Sequence, residues 1–262
     1  MDFQLCNSIT EEEALKLNDE FISQEKKDGV RCIALIENNK VILVSRRGNI
    51  ITNKFPEIVI ELEKLDNCIL DSEICSYDDK FNSLQKRVLL KHQSIINQRV
   101  KEIPCVMWVF DILKNQSIVL TQKPLKERIQ ELYLFFNNRE LNNVKVLPFE
   151  NIKESLAKAH ERNGEGVVIK SLNGLYSGKR TNEFLKCKFF KETTITITGF
   201  EVNNAGIRAT DNNENCVQIS GNQSNEVKQL LQTNGEVKIN VQYLEKTKLN
   251  KLRFISYRGL AK

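Results

Sequence analysis

EKKDGVR, residues 25–31, places two lysines, an aspartate, a glycine and an arginine at the start of a β-strand pattern. Alternate side chains of an extended segment share a face, so Lys26 and Asp28 point to one side and Lys27 to the other. The glycine lets the backbone turn close to a ligand, and Arg31 continues the face of the following strand. A lysine amine attacks an electrophile only where nearby cations or desolvation lower its pKa from about 10.4. The segment therefore predicts Lys26 as a candidate nucleophile.

Strand and helix patterns surround this segment up to about residue 190. VRCIALIENNKVILVSRRGN (30–49) contains two β-branched runs joined by a turn at Asn38 and Asn39, which predicts a hairpin. Periodic apolar residues predict helices, and short apolar runs predict further strands. The predicted helices cover residues 11–22, 55–65, 83–100 and 124–136, and the predicted strands cover 67–75, 104–113, 164–170 and 184–190.

The pattern changes after Lys191, where short β-branched runs follow one another closely. Five such runs and one helical segment in about 70 residues predict a small Greek-key barrel of the oligonucleotide-binding (OB) type. We therefore expect an α+β protein with two domains, covering residues 1–190 and 191–262.

Composition excludes several classes of protein. The 262 residues carry 39 Lys and Arg against 34 Asp and Glu, a net charge of +5 that permits but does not establish binding to a polyanion. No run of about 18 apolar residues is present, and the N-terminus lacks a secretory pattern. The seven cysteines are scattered and form no CxxC pair, which argues against a disulfide framework or a structural zinc site. These features predict an intracellular, cytoplasmic protein with no membrane partner.

A phosphate-binding loop of the Walker type is absent from the sequence. GLYSGKR (174–180) has three residues between its glycines where four are needed, and no Ser or Thr follows its lysine. A nucleotide would have to be bound by other residues. Paired lysines in FLKCKFF could neutralise phosphate, two glutamates could bind a metal or hydroxyls, and either of two aromatic residues could stack on a base. These candidates are Lys186 and Lys188, Glu73 and Glu165, and Phe110 or Trp108.

Each candidate taken singly is more simply explained as a solvated charge, an ion-paired glutamate or a core aromatic residue. Their order along the chain is more informative. EKKDGVR, SRRG (45–48), LDSEI (70–74), WVFDIL (108–113), EGVVIK (165–170) and LKCK (185–188) follow one another at the spacing of six known motifs. With these motifs the chain, from about residue 20 to 258, resembles the ATP-dependent DNA ligases of the covalent nucleotidyltransferase superfamily. That superfamily also contains RNA ligases and mRNA capping enzymes.

The resemblance implies an ATP-grasp-like nucleotidyltransferase domain of antiparallel sheets and helices, followed by an OB-fold barrel. It also implies roles for residues in nucleotide binding. Lys26 would accept AMP, and Gln24 would contact the adenine amino group. Glu73 would hold the ribose hydroxyls and offer a second carboxylate to a metal, while Phe110 would stack on adenine.

The phosphates and the metal involve a second set of residues, again by resemblance. Glu165 would bind a divalent metal, while Lys186 and Lys188 would grip the α-phosphate. Arg31 and Arg46 would contact the sugar and the 5′-phosphate side of a nick. The implied cofactors are ATP and Mg²⁺ or Mn²⁺. Because only 25 residues precede Lys26, we expect no separate N-terminal domain of the kind an NAD-dependent ligase would need.

Two segments favour nicked double-stranded DNA as the partner over a capped RNA end, and we expect a monomer. FNSLQKR (81–87) and PLKERIQEL (124–132) resemble segments of DNA ligases, and LRFISYRG (252–259) resembles their closing barrel strand. A basic row along 85–99 suits duplex phosphates, although a solvated helix face explains it equally well. The implied DNA contacts are Arg46, Lys86, Arg87, Arg253 and Arg258, with Lys91 and Arg99 in the same basic row.

Two departures from the family pattern bear on activity. LDSEI has Ser72 where glycine is usual, and the family's terminal arginine would fall on Ala261, so an RxDK-like ending is missing. Either self-adenylation is slow, or Arg258 or Lys262 substitutes. The implied activity is sealing of 5′-phosphate/3′-hydroxyl nicks through lysyl–AMP and an adenylated DNA end, which fits a viral or bacterial repair role. An RNA ligase of the same superfamily and a non-catalytic nucleic-acid-binding protein remain as alternatives.

Overall fold

The computed structural model describes residues 2–247 and 250–261. The chain divides into two compact units, Met1–Lys188 and Phe189–Lys262, which are described separately. Within the described residues, no helix is both long and apolar enough to cross a membrane.

The first unit combines antiparallel sheets with short helices. Its helices are α1 (Glu11–Ala14), α2 (Pro56–Leu62), α3 (Phe81–Val88), α4 (Gln93–Glu102), α5 (Leu125–Phe136) and α6 (Ile152–Glu161). Its strands are β1 (Leu5–Ile9), β2 (Phe21–Glu25), β3 (Val30–Glu37), β4 (Lys40–Ser45), β5 (Cys68–Ser76), β6 (Cys105–Asn115), β7 (Ile118–Val119), β8 (Val144–Val146), β9 (Gly166–Ser171) and β10 (Arg180–Lys188).

Two sheets organise these strands. One has the order β1-β10-β9-β2, with a parallel pairing only between β1 and β10. The other has the order β4-β3-β5-β6-β7, all antiparallel, and β8 lies parallel to β6. The candidate nucleophile Lys26 directly follows β2 of the first sheet, and Arg31 is the second residue of β3 in the second sheet, so EKKDGVR links the two sheets.

The predicted hairpin and the core beneath it are present. Asn38 and Asn39 join β3 to β4 with positive φ values of 51° and 61°, as a tight hairpin turn requires. Apolar side chains of β3, β5 and β6 pack against α2 and α5 in one core, in which Phe55, Leu70 and Met107 are fully buried. Each such side chain contributes about 1.5–3 kcal/mol when it is removed from water.

Two predicted helices are wrong in part. The segment 11–22 is helical only over α1, which ends at Ala14, because the residues from Phe21 onward pair with β9 and form β2 instead. The predicted helix over 83–100 is broken into α3 and α4, because His92 has an extended backbone (φ −91°, ψ 127°). The elements β1, β7, β8 and α6 were not predicted.

The second unit is a curled antiparallel sheet with one helix packed on it. Its elements are β11 (Lys191–Asn203), β12 (Gly206–Asp211), β13 (Cys216–Ile219), α7 (Asn222–Asn234), β14 (Val237–Tyr243), β15 (Glu245–Lys246), β16 (Leu252–Arg253) and β17 (Ser256–Leu260). The main sheet has the order β13-β12-β11-β14-β17, and β13 and β17 at its two ends also contact each other. Ile197, Val227 and Ile239 lie in its core. The observed architecture confirms the predicted α+β class.

Candidate active site

A cavity of about 630 Å³ lies in the first unit. Residues of β2, β3, β4, β5, β6, β9 and β10 line it, and these strands carry or adjoin the motifs quoted from the sequence. Predicted site residues in its lining are Gln24, Lys26, Arg31, Arg46, Glu73, Phe110 and Lys186. The structure therefore brings residues that are up to 162 positions apart in the chain, from Gln24 to Lys186, to one site.

Two lysines share the carboxylate of Glu165. Lys26 Nζ donates to Glu165 Oε2 at 2.6 Å, and Lys188 Nζ lies 2.6 Å from Glu165 Oε1. Burial acts to raise the pKa of Glu165, but the positive charge of Lys26 and the hydrogen bonds from both lysines outweigh it, so the pKa is lowered. Glu165 is therefore ionised at neutral pH, and it joins the candidate nucleophile to a second cation.

The Glu165 carboxylate could serve as the protein ligand of a divalent metal that is shared with a phosphate, with the metal replacing an ammonium group at one of its oxygens. Among the residues that the structure describes, no group of three or more His, Cys, Asp and Glu side chains could enclose a metal ion. Mg²⁺ typically keeps several waters and is held by one or two carboxylates together with substrate phosphates. Glu165 is an ionised carboxylate of that kind, whereas the raised pKa of Glu73 keeps that carboxyl protonated at neutral pH and better suited to a hydroxyl.

Gly166, the first residue of β9, lies next to Glu165 at the point where β9 pairs with β10. It pairs with Lys188 across β9 and β10, where the facing backbone leaves no room for a side chain. Its φ is +136°, and a Cβ atom there would lie 2.0 Å from the Cys187 carbonyl oxygen. Its carbonyl also accepts a 2.9 Å hydrogen bond from the Lys26 backbone N–H. A glycine is therefore required at this position.

We expect Gly166→Ala to lower the free energy of unfolding by about 3 kcal/mol, because strain and a backbone clash act together. Urea unfolding followed by circular dichroism measures the loss. Gly164→Ala is the matched control: φ at Gly164 is not in the left-handed region, and a Cβ there would lie 3.2 Å from the Ala159 carbonyl oxygen. The free energy of unfolding of Gly164→Ala should fall by less than about 1 kcal/mol. Equal losses in the two variants would contradict a special requirement for glycine at position 166.

Arg31 is held rigidly on one wall of the cavity. Its Nε and Nη2 donate to the two oxygens of Asp71 at 3.1 and 2.7 Å, and its Nη1 donates to the Gln4 carbonyl at 2.6 Å. Asp71 also accepts from the Tyr176 hydroxyl at 2.7 Å. Gln4, Asp71 and Tyr176 were not predicted as site residues. Their contacts fix the guanidinium beside the Phe110 ring, whose centroid is 5.4 Å away.

Glu73 faces the same wall from β5 and is protonated at neutral pH. Burial, followed in size by the opposing charges of Lys26 and Arg31, sets its pKa, and the net effect raises the pKa to about 8. Nearby Asp71 and Glu165 add to the rise. A protonated carboxyl both donates and accepts hydrogen bonds, which suits a pair of hydroxyl groups.

The raised pKa of Glu73 makes the free energy of unfolding depend on pH. Above pH 4.5 the unfolded chain loses this proton while the folded protein keeps it, so stability falls with rising pH until the folded pKa near 8 is passed. Glu73→Gln removes the titration. We expect the free energy of unfolding of Glu73→Gln, relative to the unsubstituted protein, to rise by about 4 kcal/mol between pH 5 and pH 9. A difference that does not change with pH would contradict the assignment.

A flat subsite is formed by Phe110, Gln24 and Lys170. The strand register shifts between Asp71 and Ser72, which leaves Phe110 without an opposite partner and turns its ring toward the cavity. Gln24 Nε2 donates to the Leu147 carbonyl at 2.8 Å, and Gln24 Oε1 accepts from Lys170 Nζ at 2.7 Å.

Lys170 is a cavity residue that was missed from the sequence. It is 4% exposed, and burial lowers its pKa to about 8. The sequence feature that could have indicated Lys170 is its position as the one charged residue at the end of the otherwise apolar segment GVVIK. The alternative stacking residue Trp108 is covered by the ammonium group of Lys27, 4.9 Å from its ring centroid, and is not among the lining residues of the cavity.

Lys186 and Arg46 complete the cationic side of the cavity. Burial, the charge of Arg180 and the charges of Lys188 and Lys26 lower the pKa of Lys186. Arg46 is exposed on the turn after β4, and its backbone N–H donates to the Arg31 carbonyl at 3.2 Å. These positions leave both side chains accessible to a phosphate.

The predicted DNA contact at Arg87 is wrong. Arg87 is fully buried, and its guanidinium donates to both oxygens of Glu57 at 2.9 and 3.1 Å and to the carbonyls of Ile103 and Lys54. It therefore anchors α3 to the core and offers nothing to a phosphate. The neighbouring Lys86 is exposed on the outer face of α3.

The other predicted DNA contacts lie in the second unit. Arg253 forms an ion pair with Glu245 and lies beside the ring of Phe254, while Arg258 is exposed and donates to Gln242. Contacts between these arginines and DNA stay predictions. Lys262, one of the two proposed substitutes for the missing terminal arginine, lies outside the described residues.

Solved structures share this two-unit fold. A Lig E DNA ligase aligns with 100% of this chain and 99% of its own at a TM-score of 0.71 and 16% identity. The ligase domain of M. tuberculosis LigD aligns with 100% of this chain and 95% of its own at a TM-score of 0.62 and 20% identity. These two alignments show that the chain shares its fold with solved DNA ligases.

The family described as ATP dependent DNA ligase domain matches residues 3–188, and this chain belongs to it. The prophage-derived DNA ligase-like protein LigB of Bacillus subtilis is 32% identical over 206 residues, covering 75% of this chain and 70% of LigB. A probable DNA ligase of Koribacter versatilis is 30% identical over 200 residues, covering 64% of this chain and 34% of that protein. The chain thus spans about a third of the length of that relative.

Proposed function

We propose that this protein is an ATP-dependent DNA ligase that seals nicks between a 5′-phosphate and a 3′-hydroxyl in duplex DNA. The observation that supports this most strongly is the contact of Lys26 with Glu165, which also binds Lys188, at the edge of a cavity with an aromatic wall. We further propose that it acts as a monomer, since one chain supplies every predicted nucleotide-binding side chain.

Self-adenylation would begin at Lys26. Its ammonium must lose a proton before Nζ can attack the α-phosphorus of ATP; the new N–P bond forms as the P–O bond to pyrophosphate breaks. Lys186 and Lys188 would neutralise the negative charge that develops on the α-phosphate oxygens. A divalent ion held by Glu165 would polarise the phosphate and orient the departing pyrophosphate.

The base and ribose would occupy the other half of the cavity. The Phe110 ring offers a stacking face, and Gln24 Oε1, already oriented by Lys170, has a second lone pair for an amino group. The protonated carboxyl of Glu73 would bind ribose hydroxyls. These contacts would hold the α-phosphate in line with Lys26, and such alignment supplies much of the rate gain in enzymes.

DNA would then receive the AMP. The 5′-phosphate of the nick attacks the lysyl–AMP phosphorus and displaces Lys26, and the 3′-hydroxyl attacks the adenylated 5′-phosphate and displaces AMP. We propose that Arg46 guides the 5′-phosphate and that Lys86, Arg253 and Arg258 contact duplex phosphates.

A ligation assay tests this function. The protein is incubated with ATP, Mg²⁺ and a duplex that carries one nick labelled at its 5′-phosphate, and parallel duplexes carry RNA on one or both sides of the nick. Conversion of the all-DNA nick to full-length strand is the expected result. Sealing confined to RNA-containing nicks would identify an RNA ligase. A gel shift without sealing, from protein shown by mass to be free of AMP, would identify a non-catalytic binding protein.

A further inference from the structure

Lys27 is a nearly buried cation that the proposed reaction does not use. Its side chain is 8% exposed, although it directly follows the candidate nucleophile. Its Nζ lies 3.1 Å from Glu25 Oε2 and 3.7 Å from Asp79 Oδ2, and 4.9 Å from the centroid of the Trp108 ring. An ammonium group removed from water to this extent is costly unless it is paired, so these three contacts hold it in one place.

The anion that binds Lys27 is itself fixed. Glu25 is the last residue of β2, and its carboxylate also lies 3.3 Å from Arg162 Nη1, at the end of α6. Trp108 lies within β6, opposite Glu73 in the strand register. Lys27 is therefore attached to both sheets, on either side of the segment that joins them.

In the sequence, Lys26 lies between Glu25 and Lys27, the two residues that are held by these contacts. Its backbone N–H donates to the Gly166 carbonyl at 2.9 Å, and its side chain turns to Glu165. Further along the segment, the backbone at Gly29 packs closely against β5, where a Cβ atom would lie 2.2 Å from the Ile74 carbonyl oxygen. Because alternate side chains of an extended segment point to opposite faces, the contacts that hold Glu25 and Lys27 on one face leave the Lys26 side chain on the other, where it meets Glu165.

We infer that Lys27 is a positioning residue: held by Glu25, Asp79 and Trp108, it fixes the backbone so that the Lys26 amine is aligned with the α-phosphate. This inference rests on the proposed function. Misplacement of a reacting group by about 1 Å can cost roughly 100-fold in rate. Loss of the Lys27 contacts should therefore slow only those steps in which Lys26 forms or breaks a bond.

Lys27→Met keeps the length of the side chain and removes its charge, and Lys27→Arg keeps the charge. At saturating ATP we expect Lys27→Met to form the protein–AMP adduct roughly 10- to 100-fold more slowly, with the KM for ATP changed less than about threefold. Lys27→Arg should restore most of the rate. Lys145→Met is the matched control, because Lys145 also lies over the Trp108 ring (6.0 Å) but belongs to β8 and not to EKKDGVR, and it should adenylate normally.

A second substrate separates positioning from a general structural defect. Sealing a nick whose 5′ end already carries AMP does not use Lys26, so Lys27→Met should seal it at the unsubstituted rate. Loss of that sealing, a raised KM for ATP, or adenylation equal to that of the unsubstituted protein would each overturn the inference. Failure of the unsubstituted protein to form the adduct would instead overturn the proposed function.

Discussion

Lys26→Ala is expected to abolish formation of the protein–AMP adduct. Alanine has no nucleophile, Lys27 is paired with Glu25 and Asp79, and Lys188 is paired with Glu165, so we expect no neighbouring amine to replace Lys26. The loss should be at least about 10⁴-fold, the scale seen when a catalytic nucleophile is removed. Incubation with ATP labelled at its α-phosphate, followed by a denaturing gel, measures the adduct.

The control for Lys26→Ala uses the last step of the reaction. The variant should still seal a nick that already carries AMP on its 5′ end, because that step joins the 3′-hydroxyl to the activated phosphate. Labelling of Lys26→Ala by ATP would show that another residue is the nucleophile. Loss of both activities together with a lowered melting temperature would point to misfolding, and Lys26→Arg, which retains the charge beside Glu165, would then be the variant to compare.

Glu165→Gln is expected to have the second largest effect. The change keeps the shape of the side chain but removes the negative charge that binds Lys26 and Lys188, each at 2.6 Å. It also removes the carboxylate that fits a divalent ion, so adenylation should fall by roughly 10²- to 10³-fold. The Mg²⁺ concentration needed for half-maximal adenylation should rise.

Glu161→Gln, at an exposed position in α6, is the matched control and should adenylate at the unsubstituted rate. An unchanged Mg²⁺ requirement in Glu165→Gln would contradict a metal role for this carboxylate, even if the rate fell. Unchanged adenylation would contradict its role altogether.

Much of the site could be predicted because its residues lie in short segments with distinctive chemistry. Lys26, Glu73, Phe110 and Lys186 all line one cavity, and each motif sits on or beside a strand that the local pattern indicated. Strand alternation and turn chemistry are local, so the hairpin at Asn38 and its neighbours could be predicted without knowledge of the remaining chain.

The errors concern contacts between distant segments. Nothing around Arg87 indicates that its guanidinium turns inward, because its partner Glu57 lies 30 residues away. In the same way, the rigid setting of Arg31 depends on Tyr176 and Asp71, which the fold brings together over 105 residues. A basic row in the sequence predicts charge at a position but cannot tell whether the side chain faces solvent or the core.

The intact mass of the protein at each stage of the reaction is the most direct test of Lys26 as the AMP acceptor. Protein is first treated with pyrophosphate to remove any AMP that is already bound, then incubated with ATP and Mg²⁺, and finally exposed to nicked DNA. We expect one added AMP, located at Lys26 in the peptide that contains EKKDGVR, and its loss when the nick is sealed. An adduct on Lys27 or on any other residue, or an unchanged mass at every stage, would contradict this mechanism.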